Sequence, residues 1–425
     1  MSEAKKGMSR RDFGKTAIAG ATAAAGLGIV RNAAAADPLK IALIGAGGRG
    51  TGAVQDAMKA SDNIHLIGIA DVMEQTAKNA FNGFKNNANL ADNIKMTEET
   101  VFWGLDAYQK VIDLQPDYII IATPPGFRPI HFEAVVEKKL HCFCEKPVAT
   151  DSNGIRRYMA AARKSERLGL SIVVGTQRRH QKEYIETIQK IHDGALGEIV
   201  AGRAYWNGTL PHRRERKEGM DDLTYQLYNW YNFCWICGDN IVEQHVHNLD
   251  VMNWVFQAHP ISVDASGGRA QKPPEAKYGN IWDHFNCDFE YPNGVHVISS
   301  CRHWDNCDDD VSELITGTNR AFRNGQSNCN DMASERVGGR AYVQEHADLQ
   351  ASIRGTGPKL NEAMQVAVST FTAIFGRMSA YMGKRLSWDE ALNMDYDIFP
   401  NNMNWGVPMP PDPIPVPGTK IPGMK

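Results

Sequence analysis

The sequence predicts an α/β fold over its amino-terminal half, with a doubly wound parallel sheet, followed by an α+β second domain. Three observations predict it. A short apolar strand at 39–44 runs into the turn Gly45-Ala46-Gly47-Gly48-Arg49-Gly50. Apolar runs then alternate with helix-like segments as far as residue 175, the pattern of strand–helix crossovers that builds a parallel sheet. Beyond Gln177 the alternation changes to period two, most clearly at 284–291 and 294–300, two stretches that read as a hairpin across Pro292-Asn293-Gly294. The 425 residues are 43% hydrophobic and 22% charged, a globular balance that excludes disordered and fibrous classes. Eight cysteines in a chain of this length do not make a disulfide scaffold.

The first 36 residues read as an export address. Ser9-Arg10-Arg11-Asp12-Phe13-Gly14-Lys15 precedes a weakly apolar run from Thr16 to Val30 and a small-residue end at Ala33–Ala36. The twin arginine resembles a Tat signal, which implies recognition by the Tat machinery and a periplasmic or otherwise exported, already folded product. This segment carries six basic and two acidic residues, so the net charge of −3 becomes −7 for the chain beyond it. An acidic chain with no stretch of eighteen strongly apolar residues is expected neither to seek nucleic acid nor to be embedded in a membrane.

The next elements form a dinucleotide-binding fingerprint over residues 37–176. Strand 39–44, the Gly-x-Gly-x-x-Gly turn, a helix from Thr51 to Ala60, a second strand from Ile64 and an acid at Asp71 stand in the required order and spacing. Gly45 permits the tight turn, Gly47 and Gly48 with Arg49 bring backbone to the pyrophosphate, and Gly50 lets helix and strand pack. The helix start offers amide donors to phosphate. Asp71 is expected to accept from the adenosine ribose hydroxyls and to repel a 2′-phosphate, which favours NAD over NADP. Further strands are expected at 116–123, 140–144 and 171–175, with a helix at 131–139. Ligands of such sheets lie at the carboxyl ends of the strands, where Thr123-Pro124-Pro125 and Glu145-Lys146-Pro147 fall.

Taken together, the glycine turn, Asp71, Ala122-Thr123-Pro124 with His131, and Glu145-Lys146-Pro147-Val148-Ala149 resemble the Gfo/Idh/MocA oxidoreductase superfamily. The resemblance implies that Thr123, Pro124, His131, Glu145 and Lys146 lie along the cofactor, with Lys146 where nicotinamide and substrate meet. It also implies that residues 177–400 form a substrate and oligomerisation domain with an open, mainly antiparallel sheet, in a homo-oligomer. Arg178, after the last strand of the first domain, is expected to touch substrate. The Pro-rich end, 401–425, is expected to be an extended tail docked on a neighbouring subunit.

The chemistry is expected in Glu243-Gln244-His245-Val246-His247-Asn248-Leu249-Asp250. On a continuous helix Glu243, His247 and Asp250 share one face. The resemblance makes His247 the catalytic base, Lys146 the partner on the same substrate oxygen, and Glu243 and Asp250 groups that orient the imidazole or bind a neighbouring hydroxyl. His245 lies across such a helix from His247, so the pair cannot grip one ion, and no metal site is expected. Cys234-Trp235-Ile236-Cys237 has metal-like spacing but no second pair. Tyr205, Trp206 and the aromatics of 225–235 offer core packing or a platform for sugar rings.

The expected function is an exported NAD-dependent oxidoreductase that moves hydride between a sugar or glycoside hydroxyl and tightly held nicotinamide, reoxidised by a second substrate. Two alternatives stand beside it: an NAD-dependent glycosidase working by transient oxidation and elimination, and a non-catalytic sugar-binding protein.

Overall fold

The computed structural model describes residues 37–61, 63–325 and 340–424. The export signal expected at 1–36 and Cys329 lie outside the described residues. The first layer runs β1 (Leu39–Ile44), α1 (Gly48–Ala60), β2 (Ile64–Asp71), α2 (Glu74–Lys85), β3 (Val101–Trp103), α3 (Ala107–Ile112), β4 (Tyr118–Ile121), α4 (Arg128–Glu137), β5 (His141–Cys144), α5 (Ser152–Arg167) and β6 (Ile172–Val174). Its six strands are parallel in the order β3-β2-β1-β4-β5-β6. The order reverses at β1, which opens the crevice where dinucleotides bind.

Period-two geometry explains why these strands are apolar throughout. Ile41, Leu43, Ile120, Phe143 and Val173 pack with α1 and α2 in one cluster, while their neighbours Ala42, Ile44, Ile121, Cys142 and Cys144 pack with α4 and α5 in another. A sheet covered on both faces cannot alternate with polar residues.

The second layer begins with α6 (Lys182–His192) and β7 (Ile199–Gly208). It continues through α7 (Asp222–Tyr228), α8 (Cys234–Cys237), α9 (Asn240–Glu243) and α10 (Val246–Phe256) to β8 (Ser262–Gly268), β9 (His284–Tyr291), β10 (Val295–His303), β11 (Asp310–Gly317) and β12 (Ala321–Gly325). It ends with α11 (Arg340–Arg354), α12 (Ala363–Met382), β13 (Leu386–Ser387) and α13 (Trp388–Asn393). Seven strands form a sheet in the order β12-β11-β7-β10-β9-β8-β13, antiparallel except for β7 beside β10. The hairpin at 284–303 pairs Tyr291 with Val295, as its alternation predicts.

Two features depart from the expected organisation. Helix α11 returns to the first layer: Gln350 donates to the Ala57 carbonyl at 3.0 Å and Arg354 to the Asp37 carbonyl at 3.2 Å. The chain therefore leaves the first layer near 176/177, returns to it with α11 and leaves it again, so it passes between the layers three times. The Pro-rich tail packs on its own chain, through Met409 N–H to Asp222 at 2.8 Å, Gln226 to the Met409 carbonyl and Trp282 Nε1 to the Pro415 carbonyl at 3.1 Å. Its missing amides and fixed φ make it a strap held by side chains rather than a strand.

Helix α12 is buried nearly all round and joins the layers. Arg377, with no exposed surface, donates to the carbonyls of Thr150 at 2.6 Å and Gly238 at 2.7 Å. It also approaches Cys234 Sγ, which occupies one thiol of the Cys-x-x-Cys pair. Among the described residues no helix is long and apolar enough to cross a membrane.

Candidate active site

The glycine turn closes on the crevice. Gly45 has φ +94, and a Cβ there would lie 2.6 Å from the Thr123 amide nitrogen, so only glycine allows β1 and β4 to meet so closely. A Cβ on Gly50 would lie 1.9 Å from the Gly45 carbonyl oxygen. Gly47 caps α1 without a side-chain acceptor, and the Cβ positions of Gly47 and Gly48 face open space. The first turn of α1 therefore presents bare amides to whatever enters.

Asp71 at the end of β2 accepts from Ala46 N–H at 2.8 Å and Met73 N–H at 2.9 Å. Burial raises its carboxyl while these bonds pull it back. Each oxygen keeps a lone pair for a ribose hydroxyl. The open cradle, bare amides and half-used carboxylate fit a dinucleotide. Gly50→Ala is accordingly expected to strip bound nucleotide, by about five- to a hundredfold in affinity, because an overpacked β1–α1 contact costs about 1–3 kcal/mol; native mass spectrometry reads the loss, and wild-type occupancy would contradict it.

Several expected cofactor contacts act at one remove. His131 is buried and its ring nitrogen bonds Thr123 Oγ1 at 3.1 Å; burial, helped by Arg128 and Arg157, drives it down to about 3. It fixes Thr123 rather than facing the crevice, which corrects its expected role. Pro124 starts the turn that leads into α4. Arg49 and Glu145 pair with each other at 2.5 Å, and the Arg49 guanidinium lies 4.6 Å from the Tyr342 ring centroid on α11. Their charges are mutually spent in shaping the loop. Tyr342 carries no local signal that would have singled it out.

Lys146 follows β5, with a cis peptide to Pro147. Its Nζ donates to the Glu243 carbonyl oxygen at 2.5 Å and to Glu243 Oε1 at 3.3 Å. Burial raises the Glu243 carboxyl against the pull of Lys146, and its Oε2 has no hydrogen-bond partner among the described residues. Strand-end lysine and second-layer glutamate thus meet, 97 positions apart in sequence.

His247 is 7% exposed, and Trp206 stacks on it with ring centroids 5.8 Å apart and 25° between planes. Neither ring nitrogen has a hydrogen-bond partner among the described residues. Burial holds this imidazole well below its ordinary value, and the charges of Lys146 and Arg178 push it further. A neutral imidazole can accept a proton at pH 7.

Three expectations need correcting. Glu243, His247 and Asp250 do not share one continuous helix: α9 ends at Glu243 and α10 begins at Val246, so the spacing of four spans a break. Asp250 does not orient His247. Its oxygens are taken by Arg179, at 2.8 and 3.0 Å, and by Ser369 Oγ at 2.7 Å, which pins α10 to α12. Arg178 is ion-paired with Glu313 of β11, which also accepts from Tyr184 and Asn248. It is therefore a buried, neutralised cation and not a free substrate ligand. His245 turns to Ser299 of β10 at 2.7 Å, away from His247. Among the described residues no three His, Cys, Asp or Glu side chains are placed to hold a metal.

Residues 39–187 match the NAD-binding Rossmann fold of the Gfo/Idh/MocA oxidoreductase family, and residues 184–323 match a Gfo/Idh/MocA C-terminal domain. The first domain is an NAD-binding Rossmann domain. The chain is 22% identical to inositol 2-dehydrogenase of Acidothermus cellulolyticus over 54% of this chain and 57% of that protein. It is 22% identical to a scyllo-inositol 2-dehydrogenase (NAD(+)) of Bacillus subtilis over 42% and 46%. It thus spans less than two thirds of the length of these curated relatives. Among solved structures, scyllo-inositol dehydrogenase of Lactobacillus casei with bound NAD(H) and scyllo-inositol superposes with a TM-score of 0.63 at 18% identity, covering 83% of this chain and 99% of that one. GenD2 from gentamicin A biosynthesis, in complex with NAD, gives 0.64 at 14% identity, covering 84% and 99%.

Proposed function

The chain belongs to the Gfo/Idh/MocA oxidoreductase family, and from that premise we propose that it is an NAD-dependent dehydrogenase of a polyhydroxylated ring: a sugar, a glycoside or a cyclitol. The observation that carries this reading is that Lys146, at the carboxyl end of β5, is held by Glu243, while the neutral, unpartnered imidazole of His247, four residues on from Glu243, lies within reach of the Lys146 charge. Bound NAD supplies the two-electron acceptor for the carbon-bound hydride.

The protein's own groups do the rest. An ammonium has three donors, and Glu243 engages two directions of Lys146 Nζ, which leaves one for the substrate oxygen. That donor stabilises negative charge as the O–H bond breaks. His247 accepts the hydroxyl proton, so the alcohol carbon becomes a carbonyl. Glu243 positions the lysine. Arg178, paired with Glu313, helps keep His247 unprotonated. Asp250 acts through its anchor on α12 rather than on substrate.

Residues 1–36 support export of the folded chain through the Tat route, and a protein working where free NAD is scarce must carry its cofactor with it and recycle it on a second substrate. Native mass spectrometry of protein from the periplasmic fraction should show one nucleotide per chain. Adding inositols and sugars should then change absorbance at the reduced-nicotinamide band. A nucleotide-free protein, silent with the whole panel, would overturn the reading.

A further inference from the structure

A cavity of about 410 Å³ lies at the carboxyl ends of β7 and β10, with Trp206, Asn207, Gly208, Tyr231, Gln244 and His303 in its wall. Resting on the dehydrogenase reading above, we infer that this cavity is a second sugar subsite and that the substrate is an uncharged two-ring carbohydrate, a disaccharide or glycoside, oxidised in the ring held at His247.

The position of the cavity is the first argument. Neither Lys146 nor His247 lines it, yet two residues join it to them. Trp206 stacks on His247, and Gln244 follows Glu243 directly. Trp206 therefore borders both the imidazole and the cavity, so a second ring in the cavity would sit next to the indole that packs on His247. Its volume falls within the range of small-molecule sites, about 300–1,000 Å³.

The chemistry of the wall is the second. Trp206 and Tyr231 supply aromatic surface for the C–H face of a ring. Asn207 Oδ1 has no hydrogen-bond partner among the described residues, and His303 bonds none through either ring nitrogen. Burial holds His303 down to about 3, so it is neutral and offers one donor and one acceptor. Such alternating donors and acceptors match sugar hydroxyls. No lysine or arginine lines the cavity, Asp309 does, and His212 in the same wall is held below its ordinary value by burial and by Arg214, so a phosphorylated or nucleotide-linked extension would find no fixed counter-charge.

Gly208 provides the test. A Cβ at this position meets nothing within 4 Å, so Gly208→Phe can fill the cavity without displacing backbone. Thr209→Trp, on an exposed part of the same wall, is a second filling variant. Glucose, glucose 6-phosphate, maltose, cellobiose, sucrose and trehalose are compared by kcat/KM and by calorimetry on the NAD-loaded protein. The best disaccharide should exceed glucose by about tenfold or more, equal to about 1.4 kcal/mol; glucose 6-phosphate should show no gain. Filling the cavity should erase the disaccharide advantage and change the glucose values by less than about twofold. Glucose matching every disaccharide, no disaccharide binding, or a filling effect equal on both classes overturns the inference. If nothing reduces NAD but calorimetry still separates disaccharide from glucose and filling removes the difference, the subsite stands and the dehydrogenase reading falls.

Discussion

Replacing Lys146 with methionine is expected to lower kcat by about 10²–10³-fold while bound NAD is retained, because the ammonium is the donor aimed at the oxygen on which charge develops. His247→Ala is expected to cost about 10²–10⁴-fold, the range for removal of a positioned base. The two act on one O–H group, so the double variant should lose little more than the worse single one. A purely structural lysine would not produce the accompanying pH signature. His247 is held down first by burial and next by the charge of Lys146. Taking that charge away lets the imidazole rise toward its ordinary value. The base works only unprotonated, so the acid limb of kcat/KM should move to higher pH in the methionine variant. Removal of Lys146 also leaves Glu243 without its cation, but burial already favours the protonated carboxyl there, and Lys146→Met with Glu243→Gln controls for it. Steady-state rates from pH 5 to 9 decide the matter. Wild-type kcat, or an unmoved acid limb, would sink the assignment.

The same residues show how far sequence carries the argument. Strands β1, β2 and β9 are legible because their burial requires either unbroken apolar runs or strict alternation. The glycine turn is legible because the reasons for glycine are backbone reasons, and Gly45 and Gly50 show them. Strand β3 escapes because three edge residues make no period. Helix α12 escapes for the opposite reason: buried between layers, it has no polar face to mark one. Lys146 and His247 are singled out through motif order. What is not legible is which charged groups are already taken. Arg178 looks free until Glu313, 135 positions on, is seen beside it. Asp250 looks like an orienting acid until Arg179 and Ser369 close over it. Spacing along the chain says where a side chain starts, and only tertiary contacts say what it meets. The break between α9 and α10 belongs to the same class, since Glu243 reaches Lys146 partly through its backbone carbonyl, a contact no helical wheel contains.

Acid sensitivity is the second large expected effect. His131, His245, His303 and His346 are buried, and burial, the leading cause in each, drives all four down to about 3. In the unfolded chain each titrates near 6.5. Between 6.5 and 3 the unfolded state therefore binds more protons, so stability rises with pH and is lost as pH falls through this window. At pH 5 one such histidine accounts for about 2 kcal/mol and four for about 8 kcal/mol, comparable with the whole stability of a domain. His180 does not offset this loss: raised to about 11 by Glu362 and Asp348 against its burial, its contribution is complete below 6.5 and fades only toward alkaline pH. The buried carboxyls of Asp151, Asp239 and Glu345 do act in the reverse sense, since burial raises them and protonation relieves it. A single-site comparison separates the two. His346 on α11 packs on Phe143 with ring centroids 4.2 Å apart, and neither nitrogen has a hydrogen-bond partner among the described residues. Urea unfolding at pH 7 and pH 5 should show wild type losing about 2 kcal/mol more than His346→Leu over that interval, because leucine has no proton to take up on unfolding. Parallel losses in the two proteins would mean that His346 is protonated in the folded state, and the desolvated site inferred for it would have to admit water.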